Sequence, residues 1–294
     1  MKLLYLPFIV IIAIIINSCS PDYSCSNCLV KTDSLPANYP FSSGLCVGSK
    51  LSADLINPLK PLIPADNFIA STSDSLPNAV SLDMPTPGDQ SIQGSCAAWA
   101  SIYAAGSYFI HNKYKVSYDS ILLSPAYTYN QITKGNCSCT SIYDNLYILY
   151  TQGAATLSSM PYDASDCSRQ PDSTQRKVAA KYFIDSINTI SLTGIDTVKR
   201  ALYERKAIIF SMHVDDAFKG IIYPPILKNY TGSGGAHALV ICGYDNAKNA
   251  FKVQNSWSTA WGDKGYLWID YDCFLKIINC TCNDLGKYGY IIVN

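Results

Sequence analysis

Hydrophobic and polar positions change texture twice along this 294-residue chain. Residues 3–16 form an unbroken apolar run behind Lys2, too short to span a bilayer comfortably, and small or polar residues follow it. Residues 21–75 are rich in Ser, Pro, Asn and Asp with only short apolar stretches, as in a linker or loosely folded extension. That segment is long enough for a prosegment but shows no long amphipathic helix. Periodicity begins after Leu76. Ser95 is placed to cap a helix over 96–111 that carries Trp99 and Tyr103 on one apolar stripe. Further helices are predicted near 141–152, near 173–187 behind an Asp172-Ser173 cap, and near 194–205. After Lys206 the pattern shifts to strands at 207–214, 237–245, 250–257, 265–270 and 288–293. Helices first and strands later predict an α+β domain of two lobes with a cleft between them. No internal repeat or low-complexity tract interrupts it.

The start of the chain changes this picture by giving it an address. The apolar run has the grammar of a secretion signal, and Ile16-Asn17-Ser18-Cys19 resembles a bacterial lipoprotein cleavage box. Residues 1–18 then read as a signal peptide cleaved before Cys19, whose acyl chains would anchor the mature protein to a membrane. Such a protein is extracytoplasmic, anchored at the outer membrane on its periplasmic face or at the cell surface; an ordinary signal peptide cut nearby would make it secreted.

Charge narrows the function classes. Lys plus Arg number 22 and Asp plus Glu number 22, with no basic block, so no nucleic-acid partner is expected. Cysteine is abundant, 12 residues, and in an exported chain that points to disulfides. Cys242 lies within the apolar run "HALVICGY" and reads as a buried strand residue. Setting aside Cys19, Cys96 and Cys242 leaves nine, an odd number, so at least one further thiol is free or that sorting fails. The close pairs Cys25/Cys28, Cys137/Cys139 and Cys280/Cys282 offer metal binding as the rival reading, against which stand export and the lack of clustered histidines. No metal and no cofactor is expected.

One thiol stands apart. Cys96, in "DQSIQGSCAAW", falls at the first turn of its helix, where unpaired N–H groups and the helix dipole favour a negative charge. A nucleophilic thiolate also needs an imidazole to exchange its proton. The chain has three histidines. His111 ends the Cys96 helix and reads as a cap or surface residue, and His213 lies on a strand as a core or cleft-edge residue. His237 opens the strand "HALVICGYD", and 18 positions later comes Asn255, whose amide can orient an imidazole. Trp257 can shield that bond from water. Cys96, His237 and Asn255 form a complete catalytic set.

These residues carry a resemblance to the papain-like cysteine peptidases, the family of papain and the cathepsins. "NSWSTAWGDKGYLWI" is similar to the family's Asn-Ser-Trp-Gly-x-x-Trp-Gly-x-x-Gly-Tyr block at every fixed position except Ser258. His237 follows Cys96 by 141 positions, within the family's span of about 130 to 150. Asn255, 159 positions after Cys96, lies slightly beyond that span. "LPNAVSLDM" at 76–84 and "LSPAY" at 123–127 extend the similarity to 76–294. The resemblance implies a papain-like two-lobe fold, helical on the left and an antiparallel sheet or barrel on the right, with the active-site cleft between. It implies a peptide or protein substrate. It also assigns the oxyanion-hole glutamine to the sixth position before the nucleophile, which is Gln90 and not Gln93.

Three departures are visible. Gln93 stands where many members have a bridging cysteine, so the usual first-lobe disulfide cannot form. Cys139-Thr140 falls where a Gly-Gly pair normally meets the substrate backbone. Ala97-Ala98 replace the residues usual after the nucleophile. Two other functions fit the same residues: a papain-fold surface lipoprotein that binds peptides without turnover, and an amidase or transpeptidase using the same site.

Overall fold

The computed structural model describes residues 75–220, 225–231, 235–279 and 287–293. The segment expected to be a signal peptide, Cys19 and the extension up to residue 74 lie outside the described residues. Among those described, no helix is long and apolar enough to cross a membrane.

After the short strand β1 (Ala79–Ser81) comes the helix that organises one lobe. It starts as α1 (Cys96–Ala98), widens to a π-helix over Trp99–Gly106 and returns to α geometry as α2 (Ser107–Tyr114). Every residue from Ser95 to Tyr108 is buried, as expected of a helix with no polar face. Ser101 and Ser107 are the small polar exceptions, and Ser107 Oγ accepts from Leu123 N at 2.8 Å. Lys115, with φ at 55°, ends the helix a turn later than the predicted 111. Around it pack α3 (Tyr118–Ile121), α4 (Pro125–Thr133) and α5 (Ile142–Thr151). The first two were not anticipated, although Pro125 at the first turn is a helix-start signal.

α6 (Ser173–Ala179) opens on the expected cap. Asp172 Oδ1 accepts from Gln175 N, and Gln175 Oε1 accepts from Asp172 N, a reciprocal capping box. It stops well short of the predicted 187. Ile184, Ile187 and Ile190 recur at a helix-like spacing, but Ser186–Ser191 is strand β2, paired along its whole length with β8. Ladder partners a hundred residues away override the local period.

The rest of the second lobe comprises α7 (Ile195–Tyr203), β3 (Ile208–His213), α8 (Asp216–Lys219), β4 (Ile226–Leu227), β5 (Ala236–Asp245), β6 (Ala250–Gln254), β7 (Tyr266–Asp270), α9 (Tyr271–Asn279) and β8 (Tyr288–Val293). α7 and the strands β3, β5, β6, β7 and β8 follow the pattern read from the sequence, whereas α8, β4 and α9 were not anticipated. The sheet runs β2-β8-β3-β5-β6-β7-β4, antiparallel except between β4 and β7, with β1 added to β5. β5 is buried from Ala236 to Tyr244, so it reads as a continuous apolar run and not as an alternating one. β6 ends at Gln254, three residues before the predicted 257; beyond it Asn255 still donates to the Gly265 carbonyl, while Ser256 and Trp257 take backbone partners at Gln90 and Asp89. One apolar core joins both lobes, and Cys96, Ala97, Phe210, Val240 and Trp257 all belong to it.

Cys137 and Cys167 form a disulfide, and Cys139 is also disulfide-bonded, so neither serves the metal pairing considered above. Cys242 is a free buried strand residue as expected, and among the described residues Cys273, buried on α9, is a further unpaired thiol.

Candidate active site

The site lies where the start of the central helix meets the N-terminal end of β5. Cys96 is 5% exposed. Backbone N–H groups of Cys96, Ala97 and Ala238 point at its sulfur and pull its pKa down, but burial is the larger effect and the thiol is pushed up overall. Ala238 is the residue after His237, so the sulfur and the imidazole belong to adjacent points of one contact.

His237 is buried, and its Nε2 donates to Asn255 Oδ1 at 2.7 Å. Asn255 is held in turn by the Gly265 carbonyl, which takes its N–H at 3.0 Å, and its Oδ1 also accepts from Ser256 N. The Trp257 ring lies 4.8 Å from the imidazole, and Phe218 meets both edge-on at 6.2 and 5.4 Å. This aromatic shell removes water, and burial lowers the His237 pKa to about 4 while the bond to Asn255 opposes that shift. A single charge on either Cys96 or His237 is therefore costly. Transfer of one proton from sulfur to ring is a different matter: it creates opposite charges close together at low dielectric, and their attraction opposes both desolvation costs.

Gln90 is 1% exposed and clamped at both ends of its amide. Oε1 accepts from Ser256 Oγ at 2.7 Å, and Nε2 donates one hydrogen to the Gln93 carbonyl at 3.0 Å. An amide nitrogen carries a second hydrogen, which these bonds leave over. The backbone around Gln90 is stitched to the other lobe: Gln90 N donates to Ser256 O, Ser258 N donates to Gly88 O, and Asp89 bridges Trp257. Gly88 makes this possible, since a Cβ there would come within 2.0 Å of the Trp99 ring.

Ser95 departs from expectation. It occupies the N-cap position, but its hydroxyl makes no capping bond and turns instead to Tyr162 Oη at 2.7 Å. The first N–H groups of the helix are thereby left facing the sulfur. His111 bonds the Val116 carbonyl past the helix end and stacks on Tyr118, a structural role. His213 ends β3 opposite Ala236. Ser256 could have been read from the Asn-Ser-Trp run; Phe218 and Tyr162 had no local signal, being placed by chain segments far from the motif.

The family model described as papain family cysteine protease matches residues 81–284. The chain belongs to the papain family of cysteine proteases. It is 29% identical to the gamete and mating-type specific protein A of Dictyostelium discoideum over 62% of this chain and 39% of that one. It is 25% identical to digestive cysteine proteinase 1 of Homarus americanus over 69% of this chain and 66% of that one. The chain thus spans less than two thirds of either relative. Among solved structures, xylellain, a cysteine protease from Xylella fastidiosa, shares the fold with a TM-score of 0.64 and 23% identity, covering 74% of this chain and 86% of that one.

Two departures from the papain-family pattern now have a physical setting. Gln93, in place of a bridging cysteine, lies with its Nε2 4.0 Å from Cys137 Sγ, and Cys137 is bonded to Cys167 instead. Ser258, where the family block has glycine, sits at φ 63°, the left-handed region in which glycine is favoured.

Proposed function

We propose that this papain-family chain is an exported cysteine endopeptidase, lipidated at Cys19, that cleaves peptide bonds with Cys96, His237, Asn255 and Gln90. The observation that carries this reading is the buried 2.7 Å bond from His237 Nε2 to Asn255 Oδ1. It fixes the tautomer, leaving Nδ1 unprotonated in the neutral ring and able to accept a proton from the thiol.

The steps follow from this assignment. His237 Nδ1 takes the Cys96 proton, and the sulfur attacks the peptide carbonyl carbon, forming a C–S bond while the carbonyl π pair moves onto oxygen. The second Nε2 hydrogen of Gln90 and the Cys96 N–H stabilise that oxyanion. Collapse breaks the C–N bond, and the amine leaves with the proton held by His237. Water then adds to the thioester, giving its proton to His237, and Cys96 departs as thiolate. Asn255 holds the ring in plane throughout, and Trp257 keeps water from its bond.

The test is to treat the chain with an epoxysuccinyl thiol probe and map the modified residue by mass spectrometry. Labelling at Cys96, lost in His237→Ala, together with peptide hydrolysis abolished by Cys96→Ala, is the expected result. A second reading, peptide binding without turnover, is favoured by the near-complete burial of Cys96 and its raised pKa. It would be upheld by an unlabelled Cys96 in folded protein that still binds peptides.

A further inference from the structure

Within the site as proposed above, the two donors of the oxyanion hole are the side chain of Gln90 and the backbone N–H of Cys96. Five residues lie between them, and residues 90–95 form no helix or strand; the isolated bridge to Trp257 is at Asp89, just before them. Inside this loop the bonds are local: Gln93 N donates to Gln90 O at 3.4 Å, Ser95 N donates to Gln93 O at 2.8 Å, and Ser91 N donates to Asp89 Oδ1. Ser91 itself is at φ 53°. From outside, Ser256 holds Gln90 through its carbonyl and hydroxyl, and Gln93 Nε2 lies 4.0 Å from Cys137 Sγ, but neither contact reaches across the loop to Ser95.

One side chain from elsewhere spans it. Tyr162 Oη donates to the Gln90 carbonyl at 2.8 Å and lies 2.7 Å from Ser95 Oγ. With the phenol hydrogen committed to Gln90, Ser95 must supply the other, so its hydroxyl donates to Tyr162. The ring is wedged edge-on against Trp99, 5.0 Å between centroids, and Trp99 lies under Gly88. Tyr162 therefore ties the backbone of one donor residue to the residue immediately preceding the other. The tie also accounts for the missing cap. A Ser95 hydroxyl bonded to its own helix would occupy an N–H of the first turn; bonded to Tyr162, it leaves that turn to the sulfur and the oxyanion.

We infer that Tyr162 is a positioning residue of the oxyanion hole, acting through Gln90 and Ser95 to hold the two donors at a fixed separation. It touches neither the sulfur nor the imidazole in this role. Its loss should weaken stabilisation of the tetrahedral oxyanion and leave the reactivity of the thiol alone.

That separation of effects defines the experiment. Wild type, Tyr162→Phe, Ser95→Ala and the double variant of the full chain would be compared for peptide hydrolysis and for alkylation of Cys96 by iodoacetamide, a reaction that needs a thiolate but no oxyanion hole. Tyr162→Phe should lower kcat about tenfold, since displaced donors lose part of the hundredfold or more that an intact donor supplies. KM should stay within about twofold and the alkylation rate should not change. The double variant should be no worse than Tyr162→Phe, because both substitutions break one bridge. Unchanged kcat in Tyr162→Phe and Ser95→Ala would overturn the inference, as would kcat and alkylation falling together. If wild-type Cys96 alkylates but no peptide is cut, the peptidase reading has failed separately. The bridge is then read from the affinity of a peptide aldehyde, acetyl-leucyl-leucyl-argininal, which forms a tetrahedral adduct: about tenfold weaker binding by Tyr162→Phe supports it, and equal binding overturns it.

Discussion

The two halves of the site are built by different means. His237 and Asn255 stand at the ends of neighbouring strands of one sheet, β5 and β6, whose ladder runs from Val240 and Gln254 outward. Their geometry is inherited from a sheet that is buried and bonded along its length. Gln90 and the approach to Cys96 lie on an irregular segment that owes its shape to side chains borrowed from afar: Ser256, Tyr162 and the face of Trp99. In the proposed mechanism the proton-handling half should thus tolerate single substitutions around it, whereas the oxyanion half is held by a few bonds, each of which can be removed separately.

The largest effect should come from the oxyanion half. Gln90→Ala should cost about a hundredfold in kcat, while Gln93→Ala should change it by less than about threefold, measured with one peptide substrate under saturation. Equal losses would erase the distinction between the two glutamines.

On the sheet side the sharper test is of stability. In Cys96→Ala protein no thiolate can pair with His237, whose folded pKa lies near 4, below the ordinary 6.5. The unfolded chain then binds a proton between those values and the folded chain does not. Stability should be full above pH 6.5 and fall by about 3 kcal/mol as pH drops through 4. Denaturant melts of Cys96→Ala with and without His237→Gln would read it, the second variant losing the acid slope.

Gly88→Ala probes the seam. The added methyl meets Trp99, so melts should show a loss of about 2 kcal/mol and kcat should fall with Gln90 displaced. Smallest is Ser258→Gly, which relieves a left-handed backbone and should stabilise by about 1 kcal/mol or less, with activity unchanged.

How much of this was legible in the sequence follows the same division. β5 and β6 and the Asn255-Ser256-Trp257 run are local patterns that gave the strands and their candidate residues directly, and the resemblance to the papain-like peptidases implied Gln90 from its spacing to Cys96. What escaped was set by distant partners. Ser186–Ser191 looks like the end of a helix until β8 is beside it, and nothing near Tyr162 announces Gln90, 72 residues earlier. Ser95 was misread for the same reason, since its sequence neighbours make it a cap and a remote phenol makes it a strut.

The seam between residues 88–90 and 256–258 also bears on how the protein is made. The bond from Ser256 to Gln90 joins positions 166 apart, and both Asn255 and Ser256 come after β5 and β6 in the chain. A ribosome that has extended the chain through β5 has produced the thiol and the imidazole, but neither the amide that steers the ring nor the serine that secures the glutamine. Segments this far apart also meet late in folding. Competence for the proposed hydrolysis therefore waits until the chain has been made past Ser256 and the two segments have met, so a chain extended only through β5 carries no finished site.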